Sequence, residues 1–334
     1  NDIHHATTRL KYEEHFFFQL KLLLNKKERT LNTRSVVFNN VGDYFNTFYN
    51  EHLPFPLTNA QKRVIKEIRS DLKTGFQMNR LLQGDVGSGK TIVALMVMLL
   101  ALDNGFQAAL MAPTEILATQ HYETIKNMLG DMKVTVALLT GSTKQKERKN
   151  ILPALENGDI NIIIGTHALI EETVKFKQLG LCIVDEQHRF GVRHRNRLGE
   201  KGGAVHSLVM SATPIPRSLA LVLYGELDIS RIDEMPPGRQ RVDTFVVDES
   251  YRPRLDAFIR KNVSEGGQVY VVCPAVEERD PEEEGDELPL ERLDLLAARE
   301  ERPPLKAATT YAAHLQNEVF PDLRVDFLHG KMKS

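Results

Sequence analysis

The run Gly84-Asp85-Val86-Gly87-Ser88-Gly89-Lys90-Thr91 constrains this 334-residue chain more than any other stretch. It fits G-x-x-x-x-G-K-[ST], a loop built to hold phosphate. Gly84, Gly87 and Gly89 let the backbone turn so that several N–H groups converge on an anion. A helix that starts there adds the positive end of its dipole. Lys90 would reach the β- and γ-phosphates of a nucleotide, and the Thr91 hydroxyl would ligate Mg²⁺. A glycine-rich turn can match such a pattern by accident, but its flanks argue otherwise. Arg80–Gln83 read as a short strand, and the apolar run Ile92–Leu102 reads as a buried helix.

The rest of the chain alternates in the same way. Continuous apolar runs predict strands near 107–111, 134–139, 160–164, 179–184 and 206–211. Helices are expected at 59–73, with Thr58 as N-cap, and near 115–129, 144–156 and 214–223. Repeated βα units mean an α/β fold with a parallel sheet covered by helices on both faces. Pro236-Pro237-Gly238 breaks the pattern. A second set follows, with strands at 242–247, 268–273 and 324–328 and helices at 251–264 and near 305–318. It is too small for a complete domain. From Thr7 or Thr8 to about Arg29, Leu10, Phe17, Leu20 and Leu24 recur at helical spacing, which suggests a linker helix packed on the main domain. The expected division is 1–50 as linker and connector, 51–236 as the nucleotide-binding domain, and 237–334 as a partial second domain.

Charge is uneven. Residues 277–301 hold twelve Asp/Glu and three Arg, a net of −9, within a chain of net −2. The remainder is therefore +7 (−2 less −9), which is compatible with a polyanionic partner. Cys182 and Cys273 lie far apart in apolar runs without CxxC spacing, as expected of reduced thiols in a cytoplasmic protein. No apolar run is long enough to span a bilayer, so no membrane association is expected.

A second constellation completes a nucleotide site. Leu181-Cys182-Ile183-Val184-Asp185-Glu186 is an apolar strand ending in acids. Asp185 would hold Mg²⁺, through water, and Glu186 would orient or deprotonate the attacking water. Solvated acids at a strand end are common, and the phosphate loop upstream gives this pair its meaning. Ser211 and Thr213 follow the strand at 206–210 and could hydrogen-bond Gln187 or His188 to sense the γ-phosphate. Gln61 has both a donor and an acceptor to offer an adenine edge, although a lone Gln on a helix is usually solvated.

Together these residues resemble a superfamily 2 helicase motor. Gln61 matches the Q motif, 84–91 motif I, Ala112-Pro113-Thr114-Glu115 motif Ia, Gly165-Thr166-His167-Ala168-Leu169 motif Ic, Asp185–His188 motif II and Ser211–Thr213 motif III. Asp-Glu-Gln-His-Arg-Phe-Gly-Val (185–192), Ser-Ala-Thr-Pro-Ile-Pro-Arg (211–217) and Pro-Pro-Gly-Arg (236–239) are similar to the RecG family of bacterial DNA helicases. The transcription-repair coupling translocases resemble the chain at 211–217 but not at Gln187-His188 or 236–239.

The resemblance implies two RecA-like lobes that clamp ATP with Mg²⁺ and move on branched or double-stranded DNA, such as stalled forks and Holliday junctions, as a monomeric motor. It implies that Phe55 packs against the base, that Thr114, Gly141, Ser142, Thr166 and His167 touch the DNA backbone, and that Arg189-Phe190 couples the two sites. Small hydroxyls and backbone amides suit phosphate contact, which needs no base reading. Two departures stand out: a wedge domain expected before the motor and motifs V and VI expected after it fall outside the sequence. On that reading the chain binds nucleotide but hydrolyses it poorly alone. The alternatives are a transcription-repair coupling translocase or a non-catalytic nucleotide- or DNA-binding module.

Overall fold

A computed structural model of the chain describes residues 2–32, 34–185, 205–212, 227–235, 242–275, 307–330 and 332. These residues fall into two units, Asn1–Gln240 and Arg241–Ser334.

The first unit is organised by seven parallel strands. They are β1 (Asn79–Gly84), β2 (Gln107–Met111), β3 (Val136–Leu139), β4 (Ile162–Gly165), β5 (Leu179–Asp185), β6 (His206–Ser211) and β7 (Asp228–Ile232). Their order across the sheet is β3-β4-β2-β5-β6-β1-β7. β1 runs beside β6 with Leu82 opposite Met210, and β5 beside β6 with Asp185 opposite Met210. All-parallel pairing needs crossover connections; α4 (Lys90–Asp103), α5 (Glu115–Leu129) and α6 (Gln145–Asn157) make up three of them, and α3 (Asn59–Leu72) leads into β1. Strands β2, β4, β5 and β6 are buried along their whole length, as a sheet covered on both faces requires.

α4 explains the apolar run after the phosphate loop. Every residue from Ile92 to Leu102 is buried, so the helix has no solvent face. It joins α3 and α5 in one core on one side of the sheet, through Val64, Ile68, Leu95, Leu99, Ala118 and Ile125. A second cluster, with Leu139, Leu155, Ile163 and Leu169, closes part of the other side. Gly165 marks a close approach of β4 to β3, because a Cβ there would overlap the Leu139 carbonyl.

Ahead of the sheet, α1 (Asp2–Asn32) is longer than the periodicity suggests. Its apolar stripe does not pack on the domain: Leu10, Phe17, Leu23 and Leu24 are each more than half exposed. The expectation of a packed linker helix is therefore not met. The following segment is anchored instead. Phe38 is buried against Phe106 and His206, and short α2 (Asp43–Thr47) is capped by the Asp103 carboxylate, which accepts from the amides of Tyr44 and Phe45.

β7 was not expected from the sequence, since Asp-Ile-Ser-Arg-Ile looks half polar. Its polar residues are used inside the unit. Ser230 meets Glu67 and Arg80, and Arg231 donates to Gln83 Oε1 at 3.0 Å.

The second unit contains α7 (Arg252–Ser264), preceded by a 3₁₀ turn, and α8 (Ala308–His314), prolonged by a π turn through Val319. Arg260 pairs with Asp322 at 2.5 Å between them. Among the described residues of this unit, the segments expected as strands at 242–247, 268–273 and 324–328 show no ladder, and the pairing seen is one parallel bridge, Ala275 to Ala307. Strand-like apolar composition does not make a sheet until neighbouring backbones pair. The helix expected at 214–223 and the acidic segment 277–301 lie outside the described residues.

Candidate functional site

The carboxyl edge of the sheet gathers the candidate residues, and strand order sorts them into two groups. Adjacent strands β1, β6 and β5 end in the phosphate loop, Ser211 and Asp185 respectively. Adjacent strands β2, β4 and β3 lead into Thr114, Thr166-His167 and Gly141-Ser142. The carboxyl edge of a parallel sheet is where open α/β folds bind ligands.

In the first group, β1 delivers Gly84 and the loop turns at Gly87 and Gly89, with φ of +78° and +85°. These left-handed values are what glycine permits and other residues resist. The Val86 amide is held by Asp85 Oδ1 at 2.7 Å, and the Ser88 amide by the Asp85 carbonyl at 3.1 Å. Lys90 opens α4 and donates from Nζ to the carbonyls of Gly84 and Asp85, at 2.7 and 3.0 Å. Gly89, the residue before α4, offers no side-chain cap to the helix amides. Ser88 Oγ is buried with no protein partner. Helix amides without a side-chain cap, a buried hydroxyl with no partner among the described residues and a lysine at the head of α4 fit a phosphate chain. Thr91 stands half-buried in the first turn of α4.

Gln61 differs from its expected part. It is fully buried, and both ends of its amide are engaged within the chain. Oε1 accepts from the Thr58 amide at 2.9 Å while Thr58 Oγ1 accepts from the Gln61 amide, a reciprocal capping box at the start of α3. Nε2 donates to the Ser88 carbonyl at 2.8 Å. Gln61 thus fastens α3 to the phosphate loop and offers no free edge to a base in this structure. Phe55 lies in the bend before α3, at the border of exposure.

Asp185 ends β5 with little exposure, and its Oδ2 lies 2.8 Å from His121 Nε2 on α5. An ionised carboxylate only accepts, so the imidazole is the donor. His121 belongs to none of the motifs, and its sequence neighbourhood carries no signal of this contact. Ser211 is buried at the end of β6, opposite Gln83 of β1. Glu186, Gln187, His188, Arg189, Phe190 and Thr213 lie outside the described residues.

In the second group, Thr114 caps α5, its Oγ1 accepting from the Leu117 amide at 3.2 Å. Glu115 then accepts from the Ser142 amide at 3.0 Å and from the Ser142 hydroxyl at 2.6 Å. These bonds, the hydroxyl first, hold its carboxyl below the ordinary carboxylate range. The donors of Gly141-Ser142 expected to meet a DNA phosphate therefore already face an internal anion. Thr166 Oγ1 is buried without a protein partner, and His167 is exposed at the start of a 3₁₀ turn. Glu115 stands in motif Ia, but nothing near it in the sequence signals that Ser142, on a separate loop, donates to it.

Comparison with known proteins places these groups in context. A family profile described as DEAD/DEAH box helicase matches residues 58–222. Proteins called ATP-dependent DNA helicase RecG are similar over nearly the whole chain. The one from Synechocystis sp. is 46% identical over 98% of this chain, and the one from Aquifex aeolicus 47% over 99%. A solved structure, RecG bound to a three-way DNA junction, superposes with a TM-score of 0.70 at 47% identity, covering 80% of this chain and 36% of that one. A DEAD-box helicase bound to single-stranded RNA, at 20% identity and a TM-score of 0.51, shares the fold alone. The chain spans 37% of the Synechocystis relative and 39% of the Aquifex relative. Over the stretch it shares with them, the chain belongs to the RecG family of DNA helicases.

Proposed function

We propose that this chain is the ATP-binding part of a motor that remodels branched DNA, such as stalled forks and Holliday junctions, by translocating on it. The observation that carries this is the sorting of the sheet edge: the phosphate loop, Ser211 and Asp185 on three adjacent strands, and the Thr114, Ser142 and Thr166 group on the next three. Family membership implies use of a nucleotide, and ATP fits the name its relatives carry. The first group would hold it, with Gly84, Gly87, Gly89 and Lys90 around the phosphates and Phe55 near the base. Gln61 fixes the loop from behind.

Thr91 and Asp185 offer hard oxygen donors, which suit a Mg²⁺ that keeps waters and phosphate oxygens as its other ligands. Bound there, Mg²⁺ would neutralise charge developing on the phosphates. Lys90 would leave the Gly84 and Asp85 carbonyls to reach a phosphate, whose charged oxygens make stronger acceptors than a carbonyl. Glu186 is proposed to orient or deprotonate the attacking water, and Gln187, His188, Ser211 and Thr213 to sense the γ-phosphate.

The DNA-facing group would meet backbone phosphates without reading bases. A cytoplasmic, monomeric motor is the setting proposed for it; among the described residues no helix is long and apolar enough to cross a membrane. The test is ATP hydrolysis by the full-length protein with forked and linear duplexes. Stimulation by forks and its loss in Lys90→Ala support the proposal, and DNA-independent hydrolysis would refute it.

A further inference from the structure

Asp185 is fixed by a residue that lies outside the motif segments quoted above. His121 sits on α5, six residues after Glu115, and its Nε2 donates to Asp185 Oδ2 at 2.8 Å. Both side chains are only 12% exposed, so solvent competes weakly for the bond. The helix that carries His121 cannot easily shift. Ala118 and Ile125 are fully buried and Leu129 nearly so, all in the core beneath the sheet. Its first turn is held by the Thr114 cap and by Glu115 on Ser142. The donor is thus presented to Asp185 from a rigid element.

We propose that His121 is a positioning residue for the metal-holding carboxylate: it occupies Oδ2 and sets the plane of Asp185, leaving Oδ1 for the hydrated cation. This rests on the reading of Asp185 as a Mg²⁺ residue. Carboxylates that bind metals are usually themselves hydrogen-bonded, and loss of such a partner weakens metal affinity by about 10–100-fold. The role is distinct from stabilising the fold, because the bond joins two elements already anchored independently.

The test is equilibrium binding of a fluorescent ATP analogue to the chain across a Mg²⁺ titration, with a parallel series in EDTA. His121→Leu should raise the Mg²⁺ concentration for half-maximal enhancement of binding by about tenfold or more. Affinity in EDTA should not change. His121→Gln, whose amide N–H can stand near the position of Nε2, should return the midpoint to within about threefold of the parent. Should His121→Leu lose cooperative unfolding, His121→Phe carries the same prediction with a ring of similar size. A wild-type Mg²⁺ midpoint in a folded His121→Leu or His121→Phe overturns the inference, and so does failure of His121→Gln to improve on them. Absence of any nucleotide binding by the parent chain would instead refute the reading of the phosphate loop.

Discussion

Gln61 donates from Nε2 to the Ser88 carbonyl at 2.8 Å, and this one bond ties the start of α3 to the loop that precedes α4. The same side chain closes the Thr58 capping box, so a single amide sets both a helix terminus and a loop. Gln61→Ala should cost about 1–2 kcal/mol from the lost cap and the unpaired Ser88 carbonyl. Nucleotide affinity should fall with it as the loop loosens. Urea unfolding and nucleotide titration of the variant check both halves; unchanged affinity would show that the loop holds its shape unaided.

Gly89 and Gly105 provide a matched pair. Both have left-handed backbones, at φ +85° and +82°, but a Cβ on Gly89 would overlap Gln61 Nε2 whereas one on Gly105 meets nothing. Gly105→Ala should cost only the left-handed penalty of about 1–2 kcal/mol. Gly89→Ala should cost more and also displace Gln61, abolishing nucleotide binding. Equal losses of stability in the two variants would contradict the packing argument.

His206 makes stability depend on pH. Burial lowers its pKa from 6.5 to about 4, opposed in part by its bond to the Val36 carbonyl at 2.7 Å. The Met78 amide donates to Nδ1 at 3.0 Å, so the ring is neutral with its proton on Nε2. The unfolded chain takes up this proton below about pH 6.5 and the folded one does not. The stability is therefore complete above pH 6.5 and lost as pH falls towards 4, by about 3 kcal/mol over that window. Urea unfolding at pH 7.5 and pH 4.5, compared with His206→Gln, reads the difference; an equal slope in the variant would assign it elsewhere.

Gln107 shows a different kind of anchor. Its Nε2 donates to the carbonyls of Leu155 and Ile160, and its Oε1 accepts from the amides of Lys177 and Gln178. One buried side chain therefore satisfies four backbone groups from the segments that lead into β4 and β5. Gln107→Leu keeps the volume and strips this partner from the Ile160 carbonyl and the Lys177 and Gln178 amides, while the Leu155 carbonyl keeps the Gly158 amide, at a cost of about 3 kcal/mol or more. Thermal unfolding checks this, and a shift of under a degree would mean that water replaces the amide.

Much of this is legible in the sequence. Strands β2 and β6 fall where continuous apolar runs place them, and α5 runs over 115–129 as its spacing predicts. The motifs carried the sheet edge, since glycines and terminal acids have few other reasons to stand at those intervals. What escaped was polar and non-local. β7 hides because Ser230 and Arg231 are spent on Arg80 and Gln83, partners about 150 residues away. Gln61 looks like a free reader of bases because nothing in its helix shows that Ser88 will claim its amide. His121 looks like one more polar residue on α5 until β5 brings Asp185 to it. In the second unit the opposite error arises: apolar stretches such as Val269–Val272 read as strands, yet a strand exists only with a partner.

The central claim is that the carboxyl edge of β1, β6 and β5 is a nucleotide site. Its most direct test is equilibrium binding of a fluorescent ATP analogue to this chain and to Lys90→Ala. Losing a charge-assisted contact to phosphate, worth about 1.5–3 kcal/mol, should weaken binding by about 10–100-fold. Binding by the parent chain with that loss in the variant is the predicted result; equal affinity in the two proteins, or none in the parent, would contradict it.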